Sequence, residues 1–166
     1  MRLILIGYRG TGKSTVAKLL AERFHVKLIS TDEIIISKTG MSIPEIVESK
    51  GWDYYRDVES EVIKGISNED DCIIDAGGGV VLREENIKNL KKNSKIVLLK
   101  TESKIIAERI KDDKERPSLT GKPFLEEIEK VLEQRKELYE KNADFVVDTS
   151  KIKPDDVAKR IIDYLK

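Results

Sequence analysis

Cysteine is nearly absent. Cys72 is the only one in 166 residues, which excludes an intramolecular disulfide and a multi-cysteine metal site. It lies in the apolar stretch Cys72-Ile73-Ile74 and reads as a small buried hydrophobe rather than a nucleophile. Histidine is as scarce: His25 stands alone after a predicted helix end, where a structural imidazole is expected. Neither sign of charge is in excess, because 31 Lys and Arg meet 31 Asp and Glu. The chain therefore has no global basic field to draw nucleic acid or a membrane, and an anion must be held by a local cluster of donors. Long hydrophobic runs are missing too. None approaches the roughly 18 residues of a membrane span. Leu3-Ile4-Leu5-Ile6 stops at Gly7, too short for a signal-peptide core. A reduced, cytoplasmic protein follows as the expectation.

What is present suffices for one globular domain. Hydrophobic residues make up 39% of the chain and charged residues 37%, enough of the former to exclude compositional disorder and to build a core without staples. Short apolar runs alternate with helical patterns. Strands are expected at Arg2–Ile6, Val26–Ile29, Cys72–Asp75, Lys95–Leu99 and Asp144–Val147. Helices are expected at Ser14–Phe24, in stretches through about Ile66, near Glu84–Lys91 and Ser103–Lys111, at Phe124–Lys141 and from Pro154 onward. Ser42-Ile43-Pro44-Glu45 has the spacing of a capping box with an early proline. Strands alternating with helices imply an α/β fold with a parallel sheet covered on both faces.

Gly7-Tyr8-Arg9-Gly10-Thr11-Gly12-Lys13-Ser14 satisfies G-x-x-x-x-G-K-[ST] in full. Glycines allow the backbone to approach phosphate oxygens with successive N–H groups turned inward. Lys13 adds a cation at the β- and γ-phosphates, and the Ser14 hydroxyl can ligate Mg²⁺. The helix that follows aims its positive end at the same anion. An apolar strand before the motif and an amphipathic helix after it are the context it requires. The expected cofactors are ATP and Mg²⁺, held by Gly10, Thr11, Gly12, Lys13, Ser14 and Thr15. No guanine-reading Asn-Lys-x-Asp sequence occurs, and the chain is short for a motor or a transporter ATPase, so a small-metabolite kinase is the expected class.

Further motifs carry a resemblance that covers nearly the whole chain. Asp32 is followed by Lys38-Thr39-Gly40, and Gly51 by Tyr55-Arg56 and Glu59. Then come Gly77-Gly78-Gly79, Arg109 with Arg116-Pro117, and Arg135 with Leu138-Tyr139. In order and spacing this set resembles the shikimate kinase family, of the nucleoside-monophosphate-kinase-like branch of P-loop proteins. The resemblance implies a three-layer α/β/α P-loop fold with a five-stranded parallel sheet and a mobile lid. It implies one kinase domain over 1–166, with a substrate-binding helical region at about 31–66 and the lid at about 112–123. It also implies shikimate as the substrate and a monomer as the working state. Arg56 and Arg135 match the positions that grip the shikimate carboxylate, where guanidinium forks provide paired hydrogen bonds. Glu59, three residues beyond Arg56, can orient that guanidinium across one helical turn. Asp32 matches the carboxylate that binds the substrate hydroxyls and takes the proton from the attacking one. Gly77, Gly78 and Gly79 match the substrate-binding turn. Arg116 matches the lid arginine that reaches the ATP phosphates, and Arg109 a position near adenine.

Each of these residues also has a plainer role open to it. Arg56 and Arg135 taken singly could be solvated surface, Asp32 a helix N-cap, Gly77–Gly79 a simple turn and 112–123 a surface loop. The chain also departs from the family pattern. Ser30-Thr31-Asp32 stands where the family typically has two aspartates, which puts the Mg²⁺ shell in question. Asp75, closing an apolar strand, is placed as a Walker-B-like carboxylate and is a candidate to compensate. Ile36 replaces a usual glutamate, and Ser118 a usual leucine. Another small-metabolite kinase, such as a gluconate kinase, and a non-catalytic nucleotide-binding module remain as alternatives.

Overall fold

β1 (Arg2–Ile6) carries an unbroken apolar run from Leu3 to Ile6 because it is the central strand and both its faces are covered. The computed structural model describes residues 1–114, 118–119 and 124–166. The other strands are β2 (Lys27–Ser30), β3 (Cys72–Asp75), β4 (Lys95–Lys100) and β5 (Phe145–Asp148), all parallel, in the order β2-β3-β1-β4-β5. Side chains alternate across the sheet with the two-residue period of a strand. Ile4 and Ile6 lie on one face with Ile74, Ile96 and Leu98; Leu3 and Leu5 lie on the other with Ile73, Val97 and Leu99.

The first face is covered by α3 (Ile43–Gly65), α4 (Glu84–Leu90) and α6 (Phe124–Asn142), through Ile63, Ile87, Leu90 and Tyr139. The second is covered by α1 (Lys13–Phe24) and α7 (Pro154–Leu165), through Val16, Leu20, Val157 and Ile161. Two smaller clusters extend the core. One joins α2 (Thr31–Thr39) to α3 around Ile35, Ile46 and Tyr55, and the other joins α5 (Ser103–Ile110) to α6 around Tyr8, Ile106 and Ile128. The expected three layers and five strands are present. Among the described residues no helix is long and apolar enough to cross a membrane.

Local differences have local causes. The second strand starts at Lys27 rather than Val26, because the Val26 N–H closes the end of α1 on the Ala21 carbonyl. The N-cap of α2 is Ser30, whose hydroxyl accepts from the Glu33 N–H at 3.3 Å. Asp32 therefore sits in the first turn with its side chain free of the capping role. The expected capping box at Ser42 and Glu45 forms in both directions. Gly51, with φ 84° and ψ 170°, breaks α3 at a kink inside what would otherwise be one long helix. Cys72 is fully buried, and burial raises its thiol pKa. His25 is exposed and closes α1 in the left-handed region at φ 55°.

Candidate active site

The phosphate loop joins the C-terminal end of β1 to the N-terminus of α1. Gly12 caps that helix at φ 93°, a left-handed conformation that favours glycine. Lys13 is buried, and its ammonium donates to the carbonyls of Gly7 and Tyr8 at 2.8 and 3.1 Å, which holds it inside the loop. Ser14 is exposed, and its hydroxyl donates to Asp75 Oδ2 at 2.6 Å. The first turn of α1 and the end of β3 thus bring a hydroxyl and a carboxylate together, a donor set suited to a hard, oxygen-seeking cation. Ser30, at the end of β2, is occupied by the cap of α2.

Beside the loop lies a cavity of about 230 Å³. Asp32 from α2, Arg56 from α3, Gly78 and Gly79 from the turn after β3, and Arg135 from α6 all line it. Its other wall is apolar, with Ile36, Ile43, Trp52 and Leu119. The Arg56 guanidinium donates to Glu59 Oε2 at 2.9 Å, the expected one-turn contact, and packs against the rings of Trp52 and Tyr55. Glu59 is fully buried. Burial pushes its carboxyl pKa up, while the adjacent guanidinium opposes that shift. Arg135 is 6% exposed, too enclosed to be solvated surface. Its neighbour Tyr139 donates from its hydroxyl to the Gly78 carbonyl, so one turn of α6 braces the glycine turn.

The glycine turn is tight for steric reasons. A Cβ on Gly79 would fall within the Arg56 guanidinium, and one on Gly77 would sit 2.7 Å from Glu59 Oε1. Gly77 stands behind the cavity rather than on its lining, with its N–H donated to Thr31 Oγ1 at 3.0 Å.

A second cavity, about 390 Å³, opens on the other flank of the loop between α5 and α7. Gly10, Thr11, Gly12, Thr15 and Arg109 line it. Arg109 is tied to the Gly10 carbonyl at 3.1 Å and to Thr149 through Oγ1 at 3.3 Å and O at 3.0 Å. Thr149, Ile152 and Pro154 share this lining. They escape sequence reading, because nothing in the tail after β5 marks it as a neighbour of the P-loop. Arg116, expected on the lid, lies outside the described residues.

Two further contacts also escape the sequence. The P-loop side chain Arg9 forms a buried ion pair with Glu127 of α6 at 3.1 Å. Glu127 Oε1 also accepts from the Ser118 hydroxyl and the Leu119 N–H, each at 2.6 Å, which gives the polar residue at 118 a partner. The Tyr55 hydroxyl donates to Asp32 Oδ1 at 3.1 Å. Tyr55 is visible in the sequence as an aromatic beside Arg56, but its spacing says nothing of a partner 23 positions earlier.

Comparison with known proteins places the chain in one family. The shikimate kinase family model matches residues 9–166. The shikimate kinase of Thermodesulfovibrio yellowstonii is 43% identical over 160 residues, covering 96% of this chain and 92% of that protein. Among solved structures, shikimate kinase from Acinetobacter baumannii in complex with shikimate superposes with a TM-score of 0.94 at 29% identity, covering 99% of this chain and 92% of that one. The Aquifex aeolicus shikimate kinase structure has a TM-score of 0.85 at 37% identity, covering 99% of this chain and 96% of that one.

Proposed function

The chain belongs to the shikimate kinase family, and from that premise we propose how its residues divide the work. The reaction is transfer of the γ-phosphoryl group of ATP, with Mg²⁺, to the 3-hydroxyl of shikimate, a step of aromatic amino-acid biosynthesis. One observation supports the assignment of roles above others. Arg56 and Arg135, from two helices 79 positions apart in sequence by their numbers, face one cavity with Asp32 beside the phosphate loop.

Arg56 and Arg135 grip the substrate carboxylate with paired N–H donors, and Glu59 holds Arg56 at the required angle. Gly78 and Gly79 let the substrate ring approach the backbone. Asp32 orients the acceptor hydroxyl and receives its proton. Lys13, the loop amides of Gly10 to Thr15 and the N-terminus of α1 hold the phosphate oxygens. Arg109 lines the base end of the nucleotide cleft, together with Thr149 and Pro154. When bound, Mg²⁺ would supply charge neutralisation at the transferring phosphoryl group. Ser14 and Asp75 are the residues fitted to hold it, and Asp75 stands in for the acidic residue missing at Ser30. Arg116 adds a guanidinium to the transferring phosphoryl when the lid, about 112–123, closes. Phosphoryl transfer depends on positioning and charge neutralisation, and this set provides both.

The same reading treats 1–166 as one kinase domain, with substrate helices over about 31–66. Family resemblance favours a monomer, while balanced charge and a single buried cysteine support a cytoplasmic protein that binds neither nucleic acid nor a membrane.

Steady-state ADP release with shikimate, gluconate and nucleoside monophosphates tests the substrate. Turnover with shikimate alone is expected. Preference for gluconate would make the chain a different metabolite kinase, and turnover with none would leave a nucleotide-binding module. Asp75→Asn is expected to raise the Mg²⁺ concentration for half-maximal turnover by roughly tenfold or more. An unchanged Mg²⁺ dependence would remove Asp75 from the metal shell.

A further inference from the structure

A carboxylate that must receive one particular proton works best with one oxygen presented to it and the other engaged. Asp32 has this arrangement. Its Oδ1 accepts the Tyr55 hydroxyl at 3.1 Å. The same oxygen lies 3.3 Å from the point where Gly77 would carry a Cβ, so the glycine turn packs closely against that side of the carboxylate. Oδ2 is left as the oxygen for the acceptor hydroxyl.

Tyr55 is well built for such a task. It is 4% exposed, and its ring meets Trp52 edge to face at 5.5 Å with an interplanar angle of 87°. Ile35, Ile46, Val58 and Val62 pack around it in the cluster between α2 and α3. The Arg56 guanidinium lies 5.1 Å from the centre of the same ring. One side chain therefore touches both anchors of the acceptor site, through its hydroxyl on one side and its face on the other. Burial raises the phenol pKa, and the charges of Asp32 and Glu59 raise it further, so the hydroxyl keeps its proton and remains a donor.

We propose that Tyr55 is the positioning residue of the catalytic base, its hydroxyl fixing Asp32 through Oδ1 so that Oδ2 receives the acceptor proton. This rests on the reading of Asp32 as that base. In the transfer, a bond forms between the acceptor oxygen and the γ-phosphorus while the bond from that phosphorus to the leaving ADP oxygen breaks. The acceptor proton passes to Asp32 Oδ2, and the Tyr55 proton stays where it is.

Tyr55→Phe removes the hydroxyl and keeps the ring, so it separates positioning from packing. We expect kcat to fall about tenfold, equivalent to about 1.4 kcal/mol. The shikimate dissociation constant and the KM for ATP should stay within about threefold, because the ring still faces Arg56. The melting midpoint should stay within about 3 °C. Installing 4-aminophenylalanine at position 55, which restores an N–H donor on the ring, should recover kcat to within about threefold of the native enzyme. A fully active Tyr55→Phe enzyme overturns the proposal. So does a variant that loses shikimate affinity or thermal stability in step with kcat, or an amino derivative that recovers nothing. Asp32→Asn distinguishes the two layers of the reading. If it stays active, the base assignment falls and the proposal with it; if it is inactive while Tyr55→Phe is fully active, only the role of Tyr55 falls.

Discussion

Position 79 shows how a residue with no side chain can control one with a long side chain. The backbone of Gly79, at φ −94° and ψ 8°, is open to any amino acid. What excludes a Cβ is the Arg56 guanidinium, which occupies the space the methyl group would need. The guanidinium is the far end of a flexible side chain, so it is the part that will yield. It will then lose its contact with Glu59 and its aim into the cavity. Gly79→Ala is therefore expected to weaken shikimate binding about tenfold or more through the lost charged hydrogen bonds, and to lower the melting midpoint because buried Glu59 loses its Arg56 contact. Calorimetric titration with shikimate checks this, and unchanged affinity would take Arg56 out of the carboxylate grip. Sequence could nominate Gly79 and Arg56 separately, as parts of two motifs. It could not show that one is small because of the other. The Tyr55 hydroxyl was out of reach for the same reason, since its partner is set by how α2 leans on α3.

Among the elements, α3 carries the largest share of the lining of the cavity beside the phosphate loop, and its shape comes from one residue. The Ser42 and Glu45 box fixes where the helix starts. Gly51, at φ 84° and ψ 170°, then redirects the chain so that Trp52, Tyr55 and Arg56 line the cavity and Glu59, one turn beyond Arg56, meets the glycine turn. Those angles belong to a region that is essentially limited to glycine. A Cβ at Gly51 meets nothing within 4 Å, so the penalty for alanine is backbone strain and not collision. Gly51→Ala is expected to cost about 1–3 kcal/mol of stability. Urea denaturation reads that loss, and a variant as stable as the native chain would mean that the kink is not held by this residue. The helical pattern around 43–65 was legible from the sequence, as were the capping box and the one-turn relation of Arg56 to Glu59. The kink was not, because a lone glycine inside a helical pattern is compatible with a straight helix.

For the whole molecule, the deciding feature is the strand order β2-β3-β1-β4-β5. It sets β1 between β3 and β4, so the phosphate loop, the Asp75 strand end and the glycine turn open into one crevice at the carboxyl ends of the strands, where open α/β sheets bind ligands. The helices on the first face of the sheet, α3 and α6, then supply Arg56 and Arg135 from the two sides of that crevice. The amino-acid sequence on its own determined the phosphate loop, the alternation that makes a parallel sheet and most element boundaries to within one or two residues. These are readable because each depends on near neighbours in the chain: a glycine spacing, a two- or 3.6-residue period, a cap. Only the tertiary structure decided that Ser14 meets Asp75, that Arg9 meets Glu127, that the Tyr55 hydroxyl meets Asp32 and that the segment after β5 reaches the phosphate loop through Thr149. Those contacts join residues from 23 to 138 positions apart. They depend on which helix packs across which strand, a property of the assembled sheet that no local pattern encodes.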